Sequence, residues 1–381
     1  MNHLIDCLDS IEDYRYFRNR KHNLVDILVI AISAMLCGFE SFTDMELFGR
    51  AKQKFFESFL DLPNGIPSHD TFNRVFRILS FTAFEKAILS WLSPLSSAIE
   101  EKLIAIDGKT LRHSFDNAEN TPALHLITAW LCEESLLLSQ LAVDSKTNEI
   151  PVVQEMLKIL SLKGSVVTLD AMHAQKKTTE IITQKGGDYI IALKANQGTL
   201  FDTTKECFDR ALKGLEDSNE VFHHQTVGKG HGRIETRDIW TIPLGEHFKK
   251  YQPWSGLKTL VMVERKREFV PEINRKKRTN ERRYYISSLS TTPQDHLQKI
   301  RNHWKIENSQ HWILDVTFRE DDCRVRKGNG IKNLAFLRRL SISLLKQTPP
   351  AISKKASIRA RRKIAAINDE YLLEILCSLS T

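Results

Sequence analysis

Two aspartates stand where short apolar runs stop. Asp107 follows Leu103–Ile106 in "LIAIDGKT", and Asp170 closes "GSVVTLD". Runs of this length bounded by polar residues read as buried strands, which puts both carboxylates at the carboxyl ends of strands. Open α/β sheets bind their ligands there. If the two strands are neighbours, the carboxylates converge. Hard oxygen donors at such a point suit Mg²⁺ or Mn²⁺, which bind through a few carboxylates, waters and substrate phosphate oxygens. Two such ions, about 3.5–4 Å apart, would activate a nucleophile and stabilise the leaving oxygen of an in-line phosphoryl displacement. Either aspartate alone is equally a turn residue; the ordered set is what points to chemistry.

A third carboxylate is expected from a helix packed against the sheet. Glu307 is the candidate, because His303, Glu307 and His311 fall at i, i+4 and i+8 and Asp315 continues the same face. Glu320, Asp321 and Asp322 in "FREDDCR" compete for the role but read as a solvated loop or helix end. Cations and polar groups that could meet a phosphate are Lys109 just after Asp107, Lys194 and Asn196 after the strand "YIIALK", Arg233 and Arg237 in "GKGHGRIETR", and Arg301 and Lys305 beside Glu307. Each could equally be a solvated charge. The "GKT" at Gly108–Thr110 is no phosphate loop, since that motif needs glycine where Leu103 stands. Trp304 and Trp312 flank Glu307 and read as core packing, with base stacking as the alternative.

The elements that must position these groups follow from texture. Residues 1–97 repeat their apolar positions at three and four and read as a helical domain, with "GIPSHDTFNRVFRIL" a helix that either packs in a bundle or enters a DNA groove. "LVDILVIAISAMLCGF" is shorter than the roughly 20 residues a membrane crossing needs and contains Asp26, so it reads as a buried helix. Residues 98–200 alternate strands and helices: three strands joined by short turns, then a helix, the strand ending at Asp170, a helix from about His173 to Lys185, and a last strand. The crossovers make the later strands parallel to an earlier one. Residues 201–290 read as a separate β-rich insertion, 291–350 as the closing helices and 351–381 as a basic, then amphipathic, tail.

The chain has 55 Lys+Arg against 47 Asp+Glu, a net charge of +8, which tilts towards a polyanionic partner. Six scattered cysteines without a CxxC pair suggest neither a disulfide framework nor a zinc ribbon. With no secretory signal or spanning segment read, the expected location is the cytoplasm, at the nucleoid, with no membrane partner.

The strings "AIDGKTLRHS", "TLDAMHAQKK", "GGDYIIALKANQ", "GKGHGRIETR" and "RNHWKIENSQHWILDVTFREDDCRVRKGN" closely resemble the H-repeat-associated branch of the bacterial insertion-sequence DDE transposases. The resemblance runs through almost the whole chain. It implies an α/β fold: a ribonuclease-H-like mixed-sheet core, a β-rich insertion before the last catalytic helix and an N-terminal helical domain. It implies Asp107, Asp170 and Glu307 as catalytic residues and ligands of two Mg²⁺ (or Mn²⁺) ions. Implied too are cleavage at element ends, joining of the 3′ hydroxyl to target DNA, and a homodimer holding paired ends. Where broader relatives carry Tyr, Arg and Lys around the glutamate, this chain has Ile300, His303 and Leu314. Two other readings are a related nuclease without strand transfer and a catalytically inactive DNA-binding remnant.

Overall fold

The computed structural model describes residues 1–16, 20–96, 102–115, 122–144, 148–214, 221–230, 233–245, 254–269 and 279–377, with backbone alone at 96, 269 and 306–308. Six helices come first: α1 Asn2–Asp9, α2 Leu24–Cys37, α3 Phe42–Ala51, α4 Gln53–Glu57, α5 His69–Ile78 and α6 Phe81–Ser96. Strands β1 Leu103–Thr110, β2 His125–Leu131 and β3 Leu136–Val143 lead to α7 Glu149–Ile159, β4 Val166–Leu169, α8 Lys176–Gln184, β5 Asp188–Leu193 and α9 Gly198–Leu212. Then follow β6 Phe222–Gly230, β7 Arg233–Pro243, β8 Thr259–Phe269 and β9 Thr279–Ser287. Helices α10 Pro293–Trp312, α11 Gly330–Gln347, α12 Ile358–Ile367 and α13 Asp369–Cys377 complete the order. The chain gathers into two compact units, one of Met1–Ala98, Gly108–Asn148 and Glu307–Thr381, the other of Ile99–Asp107 and Glu149–Ile306.

In the first unit every residue of α2 is buried, which explains why its sequence is apolar all round. Asn23 caps its start by accepting from the Val25 N–H, and Gly38, at φ +97°, ends it in the left-handed conformation that glycine adopts freely. Helices α1, α3, α11 and α12 pack around it. Among the described residues no single helix is long and apolar enough to cross a membrane. Asp26 is carried inside with α2, and burial, then the nearby Asp61, push its carboxyl up to about 6. Between roughly pH 4 and that value the folded chain holds a proton the unfolded chain has released, so stability falls as pH rises. Asp26→Asn should therefore stabilise the protein by about 1–2 kcal/mol at pH 8 and have no such effect near pH 4, as urea denaturation would read it.

β2 and β3 form the expected antiparallel hairpin, from His125↔Val143 to Leu131↔Leu136, with an irregularity between Ala129 and Trp130. Helix α11 covers β3, where the Leu137 N–H donates to Ser343 Oγ at 3.0 Å. The basic tail is folded in as well. Arg362 of α12 reaches Glu40 at 2.7 Å and the Met35 carbonyl at 3.0 Å, and its guanidinium stacks on Phe318.

The second unit is built on a mixed sheet in the order β1-β4-β5-β9-β8-β7-β6. β1, β4 and β5 are parallel, as the crossovers through α7 and α8 require, and the rest are antiparallel. Residues 201–290 are β-rich, but they are no separate piece. β9 pairs with β5 from Ile190↔Ser287 to Leu193↔Tyr284, so the later strands extend the sheet. Backbone groups of a sheet edge demand partners, and β9 supplies them for β5. The hairpin read in "GKGHGRIETR" forms, with Gly230 paired to Arg233; its tip, 231–232, lies outside the described residues. α10 starts at Thr292, whose hydroxyl accepts from the Asp295 N–H, and runs on into a π-helical turn, Ile313–Thr317.

Candidate active site

Parallel pairing leads up to the two aspartates. β1 and β4 match Leu103 with Val166, Ile104 with Val167 and Ala105 with Thr168. Asp107 lies two residues beyond Ala105, still within β1, and Asp170 two residues beyond Thr168, just past the end of β4. Asp170 follows β4 with extended backbone and a half-exposed side chain. The Asn196 amide donates to the Ala171 carbonyl at 2.8 Å, bracing the turn that begins at Asp170. Lys194, at the end of β5, is exposed.

His303 of α10 is buried behind Asp170. The Thr168 hydroxyl lies 2.9 Å from His303 Nδ1 and 3.3 Å from the Ile104 carbonyl. Nε2 lies 3.9 Å from Asp170 Oδ1, beyond hydrogen-bond reach. Burial lowers the His303 pKa and Asp170 opposes the shift, which favours a neutral ring. Thr168, Asp170, Tyr285, Ile300, His303 and Trp304 line one small pocket here.

Tyr285, Ile300 and Trp304 also wall a second, larger groove, lined by Arg237 of β7, Arg265 of β8, Arg283 of β9 and Arg301 of α10. Arg237 and Arg301 were among the cations expected from sequence as candidate phosphate contacts; Arg265 and Arg283 were not. Their signal is register, since Arg237 pairs with Arg265 and Val263 with Arg283. Two carboxylates serve this group: Glu235 meets Arg237 at 2.8 Å, and Glu281 meets Arg283 at 2.6 Å and also Arg265. Burial, opposed by Glu235 and reinforced by Arg301, Arg265 and Arg267, leaves the Arg237 pKa lowered, as expected of crowded cations. The Arg283 guanidinium lies 4.1 Å from the centre of the Trp304 ring. Arg301 and Lys305 are exposed, and Arg233 is partly so. Trp312 is 59% exposed, against the expectation of core packing, because it faces away from the helix's buried side.

In the first unit, Lys109, which sequence offered as a phosphate contact or a solvated charge, is not solvated. It is buried, and its ammonium lies 2.7 Å from Asp315, 3.4 Å from Glu320 and 3.3 Å from Asp321. Burial would lower its pKa; Glu320, Asp315 and Asp321 outweigh that and raise it, so it stays charged. Glu320 is a second correction. Far from solvated, it is fully buried in a two-point pair with Arg339, at 2.6 and 3.3 Å, while Arg339 also donates to Thr128 Oγ1. Asp322 alone of the three acids is largely exposed. His311 sits against this network, pushed down to about 4 by burial and then by Arg339 and Lys109, with Glu320 opposing.

The donor chemistry of Asp107 and Asp170 fits a hard divalent cation: two carboxylates, one of them open to solvent. Among the described residues no group of three or more His, Cys, Asp or Glu is placed to hold a metal ion. The Glu307 side chain, on α10, lies outside the described residues.

The family described as "Transposase DDE domain" matches residues 99–344, and one described as "DDE_Tnp_1-associated" matches 5–92. "H repeat-associated putative transposase YhhI" of Escherichia coli (strain K12) is 36% identical over 98% of this chain and 97% of its own length. "Putative protein YbfL" of the same strain is 36% identical over the same shares. "Inactive transposase YbfQ", also from that strain, is 39% identical over 19% of this chain and 86% of its own.

Proposed function

The chain belongs to the DDE transposase family, and from that premise we propose that it cleaves DNA at the ends of an insertion sequence and joins the freed 3′ hydroxyl to target DNA. The observation that supports this reading is the parallel register of β1 and β4, from Leu103↔Val166 to Ala105↔Thr168, which if continued two residues on would bring Asp107 and Asp170 together. Parallel β1, β4 and β5, with the β2/β3 hairpin, support a ribonuclease-H-like core. Asp107, Asp170 and Glu307 would hold two Mg²⁺ or Mn²⁺ ions, which when bound activate the attacking hydroxyl and stabilise the leaving oxygen. The protein's own part is positioning. Asn196 braces the turn at Asp170, and the Thr168–His303 pair fills the space behind that carboxylate with a neutral ring. The Lys109 network holds the residues just beyond Asp107 to those beyond α10.

Arg237, Arg265, Arg283 and Arg301 would track the sugar-phosphate backbone towards Asp170, with Lys194, Arg233 and Lys305 as outlying contacts. Arg283→Gln and Arg301→Gln should each flatten the slope of log affinity against log salt by about 0.9, with little change in sequence preference, in a filter-binding titration. Two chains holding paired ends at the chromosome, in the cytoplasm, would complete the reaction.

The test uses DNA flanking the gene. Metal-dependent nicking at inverted repeats, and joined products from pre-cut ends, are expected. Nicking without joining would leave a nuclease, and binding without nicking an inactive remnant. The relative named as an inactive transposase keeps that last reading in view.

A further inference from the structure

Helix α5 turns one side inward and another out. Phe72, Val75 and Phe76 are buried, while Arg74, Arg77 and Ile78, at i, i+3 and i+4, are exposed together. An open groove separates this face from Tyr14–Tyr16 and from Lys21 and His22. Arg15 grips Asp13 through Nε at 2.9 Å and Nη2 at 2.7 Å, and Nη2 also donates to the His22 carbonyl at 2.9 Å. Arg20 Nε donates to the Arg15 carbonyl at 2.7 Å, and the Asn64 amide donates to the Lys21 carbonyl. Tyr14 is 62% and Tyr16 86% exposed.

The described lining of the groove includes Arg15, Lys21, Arg74 and Arg77 and no acidic residue. Arg15 Nη1 is buried without a hydrogen-bond partner among the described residues, a donor left over at the wall. Two exposed rings, facing across a concavity Arg74 and Arg77, which form no ion pair among the described residues, suit a strand whose bases are free to stack and whose phosphates need neutralising. A duplex offers its base edges to a protruding element and hides its ring faces.

We propose that this groove binds single-stranded DNA, with bases stacked on Tyr14 and Tyr16 and phosphates held by Lys21, Arg74 and Arg77. It rests on the reading that the protein handles DNA, but not on the metal chemistry at Asp107 and Asp170. In the reaction it would hold a strand that is unpaired at a cut end.

The experiment is fluorescence anisotropy on the full chain in EDTA, with a labelled oligonucleotide of about 10 nucleotides and the matching blunt duplex. Tyr14→Ala with Tyr16→Ala should weaken single-strand binding at least about tenfold and leave duplex binding unchanged, whereas Tyr14→Phe with Tyr16→Phe keeps both. Arg74→Gln and Arg77→Gln should each reduce the single-strand salt slope by about 0.7. Equal affinity of the alanine pair for the single strand, or an equal fall on duplex, overturns the proposal. Should the alanine pair unfold, unchanged salt slopes in the arginine variants overturn it instead. Because no metal is present, a failure of end cleavage leaves this result untouched.

Discussion

Asp107→Asn and Asp170→Asn each abolish end cleavage, by a factor of about 10³ or more, while affinity for end DNA in EDTA stays within about threefold. Asparagine keeps the size of aspartate and much of its hydrogen bonding, so the sheet survives the change. What it loses is the negative charge and one hard oxygen donor, and with them the several kcal/mol that metal-assisted charge stabilisation gives the transition state. The two positions should behave alike if both carboxylates hold the same pair of ions. Thermal unfolding within a few degrees of the parent would show that the loss is chemical. A variant that still nicks DNA at a comparable rate removes Asp107 or Asp170 from the chemistry.

Glu320→Gln and Arg339→Met each cost about 3–5 kcal/mol of stability in urea denaturation, because either one leaves an opposite charge buried without its partner. Both side chains are essentially inaccessible, and the contact is two-pointed. Replacing both at once, Glu320→Leu with Arg339→Met, should recover most of the loss, since the cost lies in the uncompensated charge and not in the absence of a bridge. Lys109 keeps Asp315 and Asp321 in the double variant, so its ammonium is not stranded. Single variants less than about 1 kcal/mol weaker than the parent would mean that water reaches the pair.

Asp170 could be read as a strand-end residue because it closes an apolar run, whereas β1 continues through Asp107 to Thr110, so the end of that strand was read too early. α2 was readable because an unbroken apolar stretch too short for a bilayer has only the protein interior to occupy. Pairings between distant strands were not readable. Arg265 and Arg283 each look like one more charge in a basic strand, and only the register Arg237↔Arg265 and Val263↔Arg283 gathers them into a groove. The β9 pairing to β5, which joins 201–290 to the sheet, is likewise a long-range hydrogen-bond match that local texture does not encode.

Glu320 and Lys109 were misread through local polarity. "FREDDCR" reads as solvated because three acids stand together. Yet Arg339, on a helix whose residues are buried almost throughout, meets the first of them and brings it inside. His303 stands where broader relatives carry arginine, and its use became visible only when β4 placed Thr168 against Nδ1.

Titration of Mn²⁺ into the full-length protein, followed by the loss of the free-ion paramagnetic resonance signal, tests most directly whether these acids form a metal site. The wild-type chain should take up tightly bound Mn²⁺ that Asp107→Asn and Asp170→Asn each fail to hold. Identical uptake by all three proteins would contradict a metal centre at Asp107 and Asp170.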